Sequence, residues 1–161
     1  MALSYSETTD LIRGEDMMLY VRENTGTVGV PVLVDTPIAY ATSNSLSYSL
    51  DTIDTSNKMS GDWKSALPGQ IGWTISTDAL ISAGSGHMSY DTLEDLMIAR
   101  NPIVVKFGKV GASFALDTDV IVRSGEAVIT SLELNTERGG ICTSSITLQG
   151  NGRLTVAIPT P

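Results

Sequence analysis

Serine at every second position is the strongest constraint on this chain. From Ser43 to Asp51 the odd positions are Ser43, Ser45, Ser47, Ser49 and Asp51, and the even positions include Leu46, Tyr48 and Leu50. Successive side chains of an extended strand point to opposite faces. The segment therefore reads as a strand with one small, polar face and one apolar face. Gln70 to Asp78 repeats the pattern: Ile71, Trp73 and Ile75 share one face, and Gln70, Gly72, Thr74, Ser76 and Asp78 share the other. Further strands are expected at 16–23, 31–34, 38–41, 102–107, 127–135, 141–149 and 153–158. The connection Thr136–Gly140 holds the Gly139-Gly140 pair of a hairpin. Gly150-Asn151-Gly152 reads as a turn, and Pro159 and Pro161 stop any further ladder.

Between the two alternating strands lies a polar segment, 52–69, containing Asp54, Asn57, Lys58, Gly61, Asp62, Trp63, Lys64 and Pro68. It is longer than the loops that join paired strands, and loops of that length in compact domains are often functional. Trp63 there is either an interface anchor or a side chain folded back on its own sheet. One helix is expected at about 89–100. Ser89 or Asp91 can cap it, and Asp91, Glu94 and Asp95 lie toward the positive end of its dipole with Arg100 at the negative end. Tyr90, Leu93, Leu96 and Met97 form one apolar stripe suited to lie on a sheet, and Pro102 marks the exit. Together these elements predict a mainly β fold: two packed antiparallel sheets, a β-sandwich or barrel, with one flanking helix.

With 161 residues, 42% of them apolar, the chain is long enough to form one domain, 1–161, with its own core. Cys142 is the only cysteine, so no intrachain disulfide forms; it is expected as a small buried or half-buried side chain in a strand. The polar start, Met1 to Glu15, has no signal-peptide pattern. No apolar run reaches the ~20 residues that cross a bilayer as a helix, so no membrane anchor is expected and the protein should stay in a reducing cytosol or leave the cell without the secretory route. A net charge of −8 argues against tight nucleic-acid binding, which needs a basic stripe.

Residues for chemistry are scarce. His87 is the single histidine and lies in a glycine-rich connector, without a local nucleophile or orienting acid. Together with Cys142 it is too little for a zinc site. Asp51, Asp54 and Asp62, or Asp117 and Asp119, lack calcium-loop spacing. Gly84-Ser85-Gly86 lacks the third glycine and the lysine of a phosphate loop. No catalytic residue, metal or cofactor is expected.

Four segments in order carry a resemblance: Gly14–Val21, Pro37–Ser76, Thr92–Gly108 and Gly125–Thr155. The small-polar strand leading into the "DTSNK…DWK" segment and the "GEAVITSLE…SSITLQGNG" hairpin are its best pieces. Together they resemble phage major tail tube proteins of long-tailed phages and prophages, a fold similar to the inner tubes of contractile injection systems. The resemblance implies hexameric rings, stacked into a tube whose inner wall is a sheet shared by all subunits. It implies passage of DNA without sequence-specific binding, and partners at the tail tip or baseplate, the tape measure and the terminator. It places the protein in the virion tail after assembly in the host cytoplasm.

On that reading the 52–69 segment reaches the neighbouring ring, with Asp54, Asn57, Lys58, Trp63 and Lys64 as contact residues. The lumen is lined by Ser45, Ser47, Ser49 and Asp51, or by Thr74, Ser76 and Asp78. The competing expectations are a single-ring tail terminator or other minor tail protein, and a carbohydrate-binding β-sandwich using Trp63 or Trp73 as an aromatic platform. The long segment favours the polymer, and 6% aromatics make a thin platform.

Overall fold

The computed structural model describes residues 14–24, 32–38, 40–59, 62–81, 88–111, 114–117 and 121–157. Its elements run β1 (Met17–Asn24), β2 (Leu33–Pro37), β3 (Ala41–Asp54), β4 (Ala66–Leu80), α1 (Tyr90–Ala99), β5 (Ile103–Lys109), β6 (Val122–Asn135) and β7 (Thr143–Ala157). The strands form one antiparallel sheet in the order β2-β1-β5-β6-β7-β4-β3. The sheet curls until β1 returns to β3, where the Asn44 side-chain amide donates to the Met17 carbonyl at 3.3 Å. The two expected sheets are thus two halves of a single hydrogen-bonded one. Leu19, Val21 and Val105 from β1 and β5 join Trp73, Ile75, Ile146 and Leu148 from β4 and β7 in one buried cluster.

The helix matches its caps. Ser89 Oγ accepts from the Thr92 N–H, and Arg100 closes the last turn in a left-handed conformation, φ 56°, with its N–H on the Met97 carbonyl. Leu93 is buried and Leu96 packs partly against the core, whereas Met97 lies at the stripe's exposed rim. The N-terminal part of α1, Tyr90 and Leu93, lines a narrow crevice with Ile38, Ala79, Leu80 and Ile146.

Several expectations change. The 52–69 segment is not one long loop: β3 and β4 continue through it, pairing Thr52 with Pro68, Ile53 with Leu67 and Asp54 with Ala66. Only 55–65 connects them, because backbone pairing needs no apolar pattern. Gly150-Asn151-Gly152 is not a turn between strands. β7 passes straight through it, with a register shift where Ser124 pairs with Thr155 but Glu126 with Asn151. Cys142 is exposed and precedes β7, not buried within it. Of the strand expected at 38–41, Ile38 makes an isolated bridge to Met88, and Ala41 already belongs to β3. His87, Gly84–Gly86, Asp119, Pro159, Pro161 and Met1 to Arg13 lie outside the described residues.

Candidate functional site

Four long antiparallel strands, β6-β7-β4-β3, run side by side with 14 or 15 residues each. Their inner face carries the core. Their other face is a field of small hydroxyls, because the serine repeat of β3 stands opposite the polar positions of β4. Ser43 pairs with Asp78, Ser45 with Ser76, Ser47 with Thr74 and Ser49 with Gly72. Ser45, Ser47, Ser49, Asp51, Ser76 and Asp78 are exposed and Thr74 half-buried. The structure thus brings the two proposed rows together on one surface, with Asp51 at its end, at a register shift between Leu50 and Thr52.

β7 extends this surface with Ser145, Thr147 and Gln149, which pair with Asp78, Ser76 and Thr74. These three were not singled out from sequence, although they alternate with Ile146 and Leu148 in the same period of two. Asp78 is the charged centre of the field. Ser43 Oγ and Ser145 Oγ each donate to one of its carboxylate oxygens at 2.7 Å. The hydrogen bonds from Ser145 and Ser43 hold its carboxyl below the ordinary aspartate value, so the charge persists at neutral pH. Nearby, Thr74 Oγ1 donates to Gln149 Oε1 at 3.2 Å.

Both flanks of this four-stranded unit offer backbone for pairing. β3 is the last strand of the sheet. β6 pairs with β5 only between Arg123 and Ala127, so among the described residues Val128–Asn135 pair on the β7 side alone.

Trp73 locks the middle of the unit. It is 2% exposed, and its indole N–H donates to the Gly152 carbonyl at 2.9 Å. Gly150 lies directly over the ring: any Cβ there would fall within the indole. Beyond Trp73 the apolar face continues without cover, and Tyr48, Leu50 and Ile71 are 55%, 52% and 71% exposed.

The hairpin tip holds the other candidate residues. Trp63 is 86% exposed and does not fold back on its sheet; Met59, passed over from sequence, is 95% exposed. Thr55 N–H donates to the Ser65 carbonyl at 2.9 Å and so closes the base of the tip. Asp54 Oδ1 accepts the Ser56 N–H at 2.8 Å, and the Ser56 bonds lower its pKa. Asn57 Oδ1 accepts the Met59 N–H at 2.8 Å. Asp54 and Asn57 therefore shape the tip, while Lys58, Trp63 and Lys64 are exposed on it. No group of three or more His, Cys, Asp or Glu side chains able to hold a metal occurs among the described residues.

A long sheet with one packed face, one hydroxyl face, free flanks and a projecting apolar tip defines a self-assembling structural subunit. The family model for phage tail tube proteins matches residues 11–156, and the chain belongs to that family. A comparison with curated proteins found no match. Among solved structures the fold is similar to the tail of an empty gene transfer agent particle refined with C6 symmetry, with TM-score 0.67 and 16% identity over 90% of this chain and 98% of that one. It is also similar to the SPP1 tail tube, with TM-score 0.65 and 14% identity over 94% and 81%. A chain of the sheath–tube complex of an extracellular contractile injection system gives TM-score 0.62 and 16% identity over 97% of each.

Proposed function

We propose that this chain is the repeating subunit of a phage tail tube: six copies form a ring, and rings stack into a hollow conduit for DNA. The observation that carries this is the four-stranded unit with a packed face, a hydroxyl face and two free flanks. Its strands alternate in direction, so the β3 edge of one copy and the free half of β6 on the next meet antiparallel, as every other pair in the sheet does. Closure into a ring removes both free edges. Six copies of these four strands, ~4.8 Å apart and tilted by ~40°, close on a radius of roughly 24 Å. That leaves room for a nucleic-acid duplex.

The serine face, Ser45, Ser47, Ser49, Asp51, Thr74, Ser76 and Asp78, lines the lumen. Short hydroxyl side chains keep it wet and smooth, and the carboxylates repel phosphate, so DNA slides without binding. Asp54, Asn57, Lys58, Trp63 and Lys64 form the arm toward the next ring. The protein acts by assembly and not by catalysis. Its partners are its own copies and the tail-tip, tape-measure and terminator proteins, it assembles in the host cytoplasm, and it ends in the virion tail.

Negative-stain microscopy of the purified protein, concentrated and aged, tests this. Hollow tubes are expected. Single rings that never stack point to a terminator. A monomer that stays monomeric even with tail-tip components overturns the reading.

A further inference from the structure

A short piece of the sheet is written twice in the chain. Leu3-Ser4-Tyr5-Ser6, ahead of the described residues, has the same four residues in the same order as Leu46-Ser47-Tyr48-Ser49, the centre of β3. β3 is the last strand of the sheet, so its outer edge offers backbone for pairing. Beside that edge the apolar face lies open, with Tyr48 and Leu50 more than half exposed.

The chain enters β1 next to this edge. Gly14 to Met18 and Ala41 to Asn44 line one hollow. The Leu19 carbonyl accepts from the Ile38 N–H, and the Met17 carbonyl accepts from the Asn44 side-chain amide, so tracing β1 backwards ascends β3. A chain continued from Gly14 in that direction lies antiparallel to β3, as β4 does on its other side. Residues 7–13 span up to ~23 Å when extended, ample to bring Ser6 to Ser45, the neighbour of Asn44. The free half of β6 is more distant: Met17 pairs with Lys109 at one end of β5, whereas Val128 lies past Ile103 at the other end.

We infer that, in a subunit outside the tube, residues 3–6 add to the β3 edge as an extra strand. In the register that matches faces, Leu3 stands opposite Tyr48, Ser4 opposite Ser47, Tyr5 opposite Leu46 and Ser6 opposite Ser45. Leu3 and Tyr5 then extend the apolar rows in which Tyr48 pairs with Trp73 and Leu46 with Ile75, while Ser4 and Ser6 extend the hydroxyl face. The added strand occupies the edge that the tube reading above gives to β6 of the next copy. It is therefore a cap, which guards the subunit against premature edge pairing and must be displaced when a ring closes. Only this effect on assembly rests on the tube reading; the pairing itself rests on the repeat and the free edge.

Hydrogen exchange of the monomeric chain tests the pairing. Two variants are compared with the full chain: one lacking residues 2–10, and Ser4→Pro with Tyr5→Pro, in which one of two successive N–H groups lost must face β3. The β3 amides between Asn44 and Ser49 that do not bond to β4 are expected to exchange at least ~10-fold faster in both variants. Tubes of both variants are expected at lower protein concentration than tubes of the full chain, read by sedimentation and microscopy.

Unchanged exchange in β3 overturns the inference. So does a change at Val128–Asn135 in its place, which puts the segment on the other flank. Protection that grows with protein concentration places the segment on a second copy and also overturns it. Variants that assemble less readily than the full chain make the segment part of the wall and overturn its role as a cap. If neither the full chain nor the variants polymerise, the tube reading fails, while the exchange rates still decide whether β3 is capped.

Discussion

Replacing Gly150 by alanine tests whether the Trp73 lock holds the four long strands together. The added methyl lands within the indole of a residue only 2% exposed, on a strand paired on both sides, Ala127 to Gly150 in one ladder and Thr74 to Gln149 in the next. Overpacking a tight core costs about 1–3 kcal/mol. The indole must move, and its 2.9 Å bond to the Gly152 carbonyl goes with it, leaving a buried donor unsatisfied at about 1–3 kcal/mol. A total of about 2–6 kcal/mol lowers the melting temperature of a chain this size by roughly 4–24 °C, at ~2–4 °C per kcal/mol. Calorimetry of the isolated subunit measures it. Gly152→Ala is the control: that position, at φ +83°, is open around its Cβ, so only backbone strain of about 1–2 kcal/mol applies. Trp73→Leu should relieve part of the Gly150→Ala loss, since the two sites are in contact and couple. A Gly150→Ala subunit that melts with wild type, or losses that simply add in the double variant, would refute the lock.

Trp63→Ala should leave subunit stability within about 0.5 kcal/mol, as for other exposed positions, yet reduce tube growth sharply; equal losses in melting and in microscopy would contradict an assembly role. Asp35 is half-buried between Lys106 Nζ at 2.6 Å and Arg22 Nε at 3.0 Å. Burial works against its charge, but the hydrogen bonds from Lys106 and Arg22 outweigh it and lower the pKa. A lowered folded pKa contributes stability above the unfolded value of ~3.9 that is lost as pH falls through the folded one. Asp35→Asn should therefore cost about 1–2 kcal/mol at neutral pH, in urea titrations, with the gap to wild type closing as the pH falls below the unfolded value; a gap independent of pH would exclude the linkage. Ser47→Lys with Ser76→Lys should leave melting and tube length unchanged but make tubes retain short DNA in a salt-sensitive manner, read by co-sedimentation. Unchanged DNA retention would place those residues away from the lumen.

Much of the four-stranded unit was legible because its signal is local. Alternation in Ser43–Asp51 and Gln70–Asp78 identified both strands and their faces, and Ser89 with Arg100 bounded the helix. The distal hairpin was hidden for a physical reason. Beyond Leu50 its strands cover no core, so neither face needs apolar residues and composition alone suggests a loop. Gly150-Asn151-Gly152 misled because turn chemistry and a strand that must clear an indole both call for glycine. Only the meeting of Trp73 with Gly150 separates the two, and that meeting spans residues far apart in sequence.

The serine repeat carries a hazard of its own. On β7 the same alternation, with Ser145, Thr147 and Gln149 opposite Asp78, Ser76 and Thr74, could slide by two residues against β4 and present almost the same polar surface, so that surface barely distinguishes the correct alignment from its neighbours. Trp73 supplies the missing discrimination. On β7 its indole is accommodated at Gly150, whereas a slip of two toward the bulkier neighbour would bring Leu148 over it. One large ring over one missing side chain thus acts as a proofreading key, letting the chain keep a monotonous hydroxyl face without losing count of its own residues.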